Sequence, residues 1–225
     1  MSGTRQLTGQ FPLNRIIGVD ESGKGDFFGP LVVGGILIPD DDIPVLKELG
    51  VKDSKALSDN RALEVDSVLR SRYPHALAVL LPQDYNAEYA AIRNLNILLG
   101  RLHAAVVSEL AGQHHADLAI SDQFGKPELI DRELHRRGCR IEMKQIVRGE
   151  SIPQVAAGSI IARARFLREM SVLSERAGMT LPKGAGSMVD EVGRQLVARF
   201  GAAILDGLAK KHFRNYARSL KPTLL

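Results

Sequence analysis

Residues 15–20 (RIIGVD) and 31–38 (LVVGGILI) are short apolar runs joined by a turn that holds Gly23, Gly25, Gly29 and Pro30. Both runs are rich in branched aliphatic residues, bounded by turn residues and too short for core helices, so they read as buried strands. The glycine- and proline-containing connection suits an antiparallel pair. Gly34 and Gly35 inside the second run point to a bulge or to the close approach of another backbone. A chain that begins this way has to bury a sheet.

The remaining pattern supplies what covers that sheet. Residues 40–42 form an acidic turn, 51–57 (VKDSKAL) a polar loop, and a helix starts near Ser58. A third strand spans 76–81 and is stopped by Pro82. From 94 to 110, Leu95, Leu98, Leu99, Leu102, Val106 and Leu110 recur at helical spacing, with His103 expected on the polar side. A fourth strand at 117–121, a helix near 127–137 and a fifth strand near 140–147 follow. The small-residue stretch Ala156, Ala157, Gly158 and Ser159 marks a helix that lets another element come close, and helices over 188–200 and 203–220 complete the chain. Early strands followed by strands alternating with helices give an α/β fold with a mixed sheet flanked by helices.

Composition removes several function classes. The single cysteine, Cys139, excludes an internal disulfide and a cysteine-based zinc cluster, and is expected as a buried apolar residue. No apolar run approaches the ~20 residues needed to span a bilayer, and residues 1–14 lack the apolar stretch of a signal peptide, so a cytoplasmic protein with no membrane partner is expected. The net charge of +4 is uneven: residues 191–225 carry seven basic side chains against two acids. A basic face of this kind suits a polyanion such as nucleic acid, and equally a solvated helix surface. The six histidines show no H-E-x-x-H spacing, and G-x-S-x-G, G-x-G-x-x-G and Walker A patterns are all absent.

What remains is a set of acids. Asp20 and Glu21 close the first strand, Asp122 closes the fourth, and Glu150 lies between the fifth strand and a helix. Adjacent strand residues point to opposite faces, but at a strand end the twist can bring both toward one ion. Each position alone is as readily a solvated turn residue. Together the four would repel one another unless cations neutralised them, and an all-oxygen donor set favours Mg²⁺ or Mn²⁺. Two such ions can activate water and stabilise the leaving oxygen of a phosphodiester, which is nuclease chemistry. Glycoside hydrolysis, the other use of paired acids, fits poorly with a chain that has no Trp. Beside the first two acids, Gly23, Lys24 and Gly25 offer backbone groups to a ligand. Lys52, Ser54 and Lys55 form one loop suited to phosphate oxygens, and Lys183 with Gly184 a second; either is also a plain solvated connection.

The segment 18–30 (GVDESGKGDFFGP) resembles the first motif of the type 2 ribonucleases H, most closely ribonuclease HIII. Further matches run through 53–57 (DSKAL), Tyr85 with Asn86, 94–96 (NLN), 122–124 (DQF) and 156–163. The element order is similar to the ribonuclease H-like architecture, a mixed five-stranded sheet flanked by helices with additional C-terminal helices. The resemblance implies that Asp20, Glu21, Asp122 and Glu150 hold two divalent metal ions, the glutamate at the fourth position being the form of the HIII branch. It also implies that Gly23, Lys24 and Gly25 read the ribose 2′-hydroxyl through backbone groups. The partner implied is an RNA–DNA hybrid cut in its RNA strand. Where the HII branch carries a tyrosine after a late-loop glycine, Ala185 follows Gly184 here, so little incision at a single embedded ribonucleotide is expected. Ribonuclease HIII proteins also carry a substrate-binding domain ahead of the catalytic one. The expectation is therefore a short leader over 1–14 and one catalytic domain over 15–225, acting as a monomer, with Lys210, Lys211 and Arg214 gripping the hybrid. An HII-like enzyme and a non-catalytic nucleic-acid-binding module of the same fold are the competing readings.

Overall fold

The computed structural model describes residues 15–51 and 57–221. The loop residues Lys52, Ser54 and Lys55, and the leader over 1–14, lie outside the described residues. Five strands, β1 (Arg15–Ser22), β2 (Leu31–Pro39), β3 (His75–Leu80), β4 (Leu118–Asp122) and β5 (Glu142–Ile146), form one sheet in the order β3-β2-β1-β4-β5. β2 runs antiparallel to both β1 and β3, while β1, β4 and β5 are parallel. The mixed sheet of the sequence reading is therefore present.

Strand alternation assigns the two faces. In β2, Leu31, Val33 and Leu37 enter the core formed with Leu98, Val106, Val107 and Leu110 of helix α4 (Leu95–Gln113). Val32, Ile36 and Ile38 face the other way, toward Ala156, Ile160, Ala162 and Phe166 of helix α6 (Pro153–Ala177). In β1, Ile17 and Val19 join the α4 side, whereas Ile16 packs with Leu118, Ile120 and Val155 on the α6 side. This period of two lets a sheet be buried on both faces.

Glycine makes the α6 crossing possible. A Cβ at Gly18 would sit on the Gln154 carbonyl, one at Gly34 would come within 2.7 Å of the Ala162 nitrogen, and one at Gly158 within 2.7 Å of the Gly18 oxygen. The pairing of β1 with β2 runs without interruption from Arg15 to Ser22, so the β2 glycines serve close approach rather than a bulge.

The other helices are α1 (Ile43–Glu48), α2 (Asp59–Arg72), α3 (Pro82–Ile92), α5 (Glu128–Arg136), α7 (Ser187–Phe200) and α8 (Arg214–Ser219). Ser58 caps α2 by accepting from the Arg61 amide, and Asn94 caps α4 through the amides of Asn96 and Ile97. α3 is absent from the sequence reading: Pro82, read as a strand stop, is also the first residue of a helix, where its missing N–H costs nothing. Residues 203–220 do not form one helix. A 3-10 turn, Ala202–Gly207, leads into an extended stretch whose Ala209 bridges Phe28, and only then does α8 begin. Cys139 is half-buried rather than buried.

Candidate active site

The carboxylates collect at one end of the sheet. Val19 of β1 pairs with Ser121 of the parallel β4, so Asp20 and Asp122 follow at equivalent places on neighbouring strands. Both also have even parity with the residues that face α6, and the Ser159 hydroxyl of α6 bonds to Asp20. Gly149 lies so close to Asp122 that a Cβ there would meet the Asp122 Cα at 2.8 Å. Its amide donates to Asp122 Oδ1 at 2.9 Å, and the 3-10 turn Gly149–Ser151 thereby sets Glu150 beside β4 at the entry to α6.

Glu21 is placed differently. β1 continues through Ser22, so alternation persists and Glu21 turns to the α4 side. There its Oε2 lies 3.2 Å from Nε2 of His103 and its Oε1 accepts from Lys24 Nζ at 3.2 Å. Among the described residues, no three His, Cys, Asp or Glu side chains close on a common point as metal ligands. Asp20 and Asp122 thus share one face, with Glu150 on the turn that Gly149 ties to Asp122 and with Glu21 held across the strand.

The two adjacent acids also differ in charge state. Burial, reinforced by the Glu21 charge, raises the Asp20 carboxyl from its ordinary 3.8 to about 6, against the opposing bond from the Glu21 amide. For Glu21, burial acts upward as well, but His103 and then Lys24 outweigh it and hold the carboxyl below its usual range. His103 is fully buried, contrary to its expected place on a polar helix side, and its ring packs on Phe124 at 4.7 Å. Its sequence neighbours, Leu102 and Ala104, give no sign of this role; the facing strand, which carries Glu21, explains it. His103→Leu is expected to lower stability by roughly 1–3 kcal/mol by leaving Glu21 with Lys24 alone, measurable as a lower thermal midpoint with circular dichroism of the folded state unchanged.

The glycine loop sits next to these acids. Gly23 has φ +87° and fits under Pro30 and Phe166, whereas Gly25 has nothing within 4 Å of its would-be side chain. Gly184 meets the loop from behind: its amide donates to Asp26 Oδ1 at 2.6 Å and its carbonyl accepts from the Phe27 amide at 2.9 Å. Lys24 also lies 5.7 Å from the Phe124 ring centre. Lys183 does not join them as a free cation; Asp59 Oδ2 accepts from its Nζ at 2.6 Å, while Arg163 holds the other oxygen of Asp59.

Residues 17–216 match the Ribonuclease HII family. The chain belongs to that family. It is 38% identical over 203 residues to Ribonuclease HIII of Chlamydia felis, an alignment covering 89% of this chain and 68% of that protein. Among solved structures, Bst-RNase HIII in complex with Mn²⁺ superposes with a TM-score of 0.87 at 34% identity, over 94% of this chain and 70% of that one. Ribonuclease HII of Archaeoglobus fulgidus, solved with PCNA, superposes at 0.75 with 29% identity, over 93% and 98% of the two chains. The protein is a type 2 ribonuclease H, and the mixed sheet with flanking helices is the ribonuclease H fold.

Within this ribonuclease H, the basic C-terminal face is reduced by the structure. Lys210 is fully buried, Lys211 pairs with Asp206 at 2.6 Å, and Arg218 pairs with Asp190 at 3.2 Å. A buried ammonium cannot grip a hybrid, so the expected role of Lys210 as a surface cation does not hold. No helix among the described residues is long and apolar enough to cross a membrane.

Proposed function

We propose that this ribonuclease H is an endonuclease that hydrolyses the RNA strand of RNA–DNA hybrids, leaving 5′-phosphate and 3′-hydroxyl ends. The observation that carries the reading is the shared face of Asp20 and Asp122, with the turn that carries Glu150 tied to Asp122 through Gly149 and the open glycine loop alongside. The donor set fits hard divalent cations: the residues offer oxygen ligands, and Asp20 carries a charge that burial makes costly until a cation offsets it. Asp20, Asp122 and Glu150, joined by Glu21 once its carboxylate turns from His103 at the strand end, would hold two such ions, Mg²⁺ or Mn²⁺, which when bound supply an activated water and offset charge on the leaving oxygen.

The chain's own groups do the rest. Gly25, free of side-chain obstruction, lets a sugar approach the loop backbone, where a 2′-hydroxyl can be told from hydrogen. Gly23 sets the turn, and Gly184 buttresses it. Lys24 supplies positive charge at the rim, shared with Glu21. His103 and Lys24 keep Glu21 ionised, and the Gly149 amide fixes one oxygen of Asp122. Ala185, which follows Gly184, is engaged through its carbonyl by Asn215 and brings no hydroxyl to a junction, consistent with little single-ribonucleotide incision. We read residues 15–225 as one catalytic unit working as a monomer.

Two duplexes test this, one with an all-RNA strand and one with a single embedded ribonucleotide, each with Mg²⁺, Mn²⁺ or chelator. Metal-dependent cleavage of the first alone is expected. Cleavage of both would make the enzyme HII-like, and cleavage of neither would leave a binding module. Asp122→Asn is expected to lose roughly 10³-fold or more in turnover, about 4 kcal/mol of transition-state stabilisation, while still binding the hybrid; near wild-type turnover would remove Asp122 from the catalytic set.

A further inference from the structure

Lys210 is an ammonium in the wrong place for a surface cation. It is fully buried, and its Nζ donates to the Asp26 carbonyl at 2.8 Å, with the Tyr85 ring centre 5.7 Å away. Burial pushes the group down to about 7, against the pull of Asp26. A methionine would fill such a space without desolvating a charge, so packing alone does not account for a lysine.

The surroundings indicate what the charge holds. The stretch 208–211 is stitched to the glycine loop along its length: the Gly29 amide donates to the Leu208 carbonyl, and the Lys210 amide to the Phe27 carbonyl. On the far side, Asn86 of α3 donates to the Ala209 carbonyl and accepts from the Lys211 amide. With the Gly184 amide on the Asp26 carboxylate, both the backbone and the side chain of Asp26 are pinned from behind. The front, at Gly25, is open. A loop tethered at the back and bare at the front is built to hold one shape against a ligand.

We propose that Lys210 is a positioning residue for substrate discrimination: its ammonium fixes the Asp26 carbonyl and thereby holds residues 23–26 in the shape that admits the ribose of the RNA strand. The inference rests on the reading of that loop given under Proposed function. Lys210 touches no substrate; it acts through the loop.

The test is Lys210→Met in the full chain, compared with wild type for thermal unfolding, for KM and kcat on an all-RNA hybrid, and for the ratio of affinities for that hybrid and a DNA duplex of the same sequence, measured with chelator. The expected result is a folded variant whose KM rises and whose affinity ratio falls by about tenfold, the loss expected for one buried hydrogen bond, with kcat less affected. Lys210→Arg, if folded, is expected to recover part of the ratio. A lower thermal midpoint with an unchanged ratio and KM would overturn the proposal and leave a fold staple. Should Lys210→Met not fold, Lys210→Gln, which keeps a donor of shorter reach, decides by the same ratio; failure of both to fold also assigns the lysine to stability alone. A wild-type enzyme that does not itself prefer the hybrid would instead overturn the loop reading, which separates the two failures.

Discussion

Asp20→Asn is expected to abolish cleavage and at the same time make the metal-free protein more stable at neutral pH. The Asp20 carboxyl titrates near 6 in the folded chain against 3.8 ordinarily, so the folded state binds the proton more tightly than the unfolded one. Its contribution to stability is present in full below the unfolded value and disappears as pH rises through the folded one. Above about pH 6 the ionised group therefore costs on the order of 3 kcal/mol, a cost that a neutral amide does not carry. The variant should gain stability over wild type between pH 4 and 6 and keep the gain at pH 7 to 8, with no advantage at pH 3. Urea unfolding across that range, with chelator, reads the effect. Mg²⁺ or Mn²⁺ should raise the wild-type midpoint more than that of the variant, since a ligand bound only by the native state stabilises it by mass action. Equal midpoints at pH 7.5, or a larger metal effect in the variant, would contradict the assignment.

Two glycines that look alike in the sequence should behave in opposite ways. Gly18→Ala sets a methyl group onto the Gln154 carbonyl, where backbone must give way, so a loss on the order of 3 kcal/mol or more is expected. It would be seen as a lower urea midpoint with an unchanged slope. Gly25→Ala meets nothing within 4 Å and its backbone lies outside the left-handed region, so its stability should change by less than about 0.5 kcal/mol. Its effect should appear instead in KM for the hybrid. A stable Gly18→Ala would mean that the crossing of α6 over the sheet is misread, and a Gly25→Ala that unfolds would mean that the open face of the loop is misread.

How much of this was legible in sequence follows from the range of the forces involved. The β1 and β2 runs, the helix starts near Ser58 and at 94 and the α4 periodicity are local patterns, and all appear. Gly34 signalled a close approach correctly because only backbone contact makes the absence of a side chain necessary. That Asp20 and Asp122 lie at one edge of the sheet is legible because each closes an apolar run and neighbouring parallel strands end together. The choice of HIII relatives came from the first motif, not from periodicity. His103 and Lys210 were misplaced for one reason: each is a polar residue made buried by a partner far along the chain, Glu21 in one case and Asp26 in the other. Helical spacing and charge counts carry no information about such partners. The stretch 203–220 reads as helical locally, and its bridge to Phe28 overrides that preference.

The division of Asp20 and Glu21 between two faces gives strand register a second meaning. A slip of β1 by a single position would exchange them, sending Glu21 toward Ser159 and Asp20 toward His103. It would also carry Ile17 and Val19 out of the α4 core and bring Gly18 away from the one helix that requires it. A misassembled molecule of this kind cannot be a weakened enzyme. The same error that scrambles the acids also empties the core, so loss of the site and loss of stability arrive together.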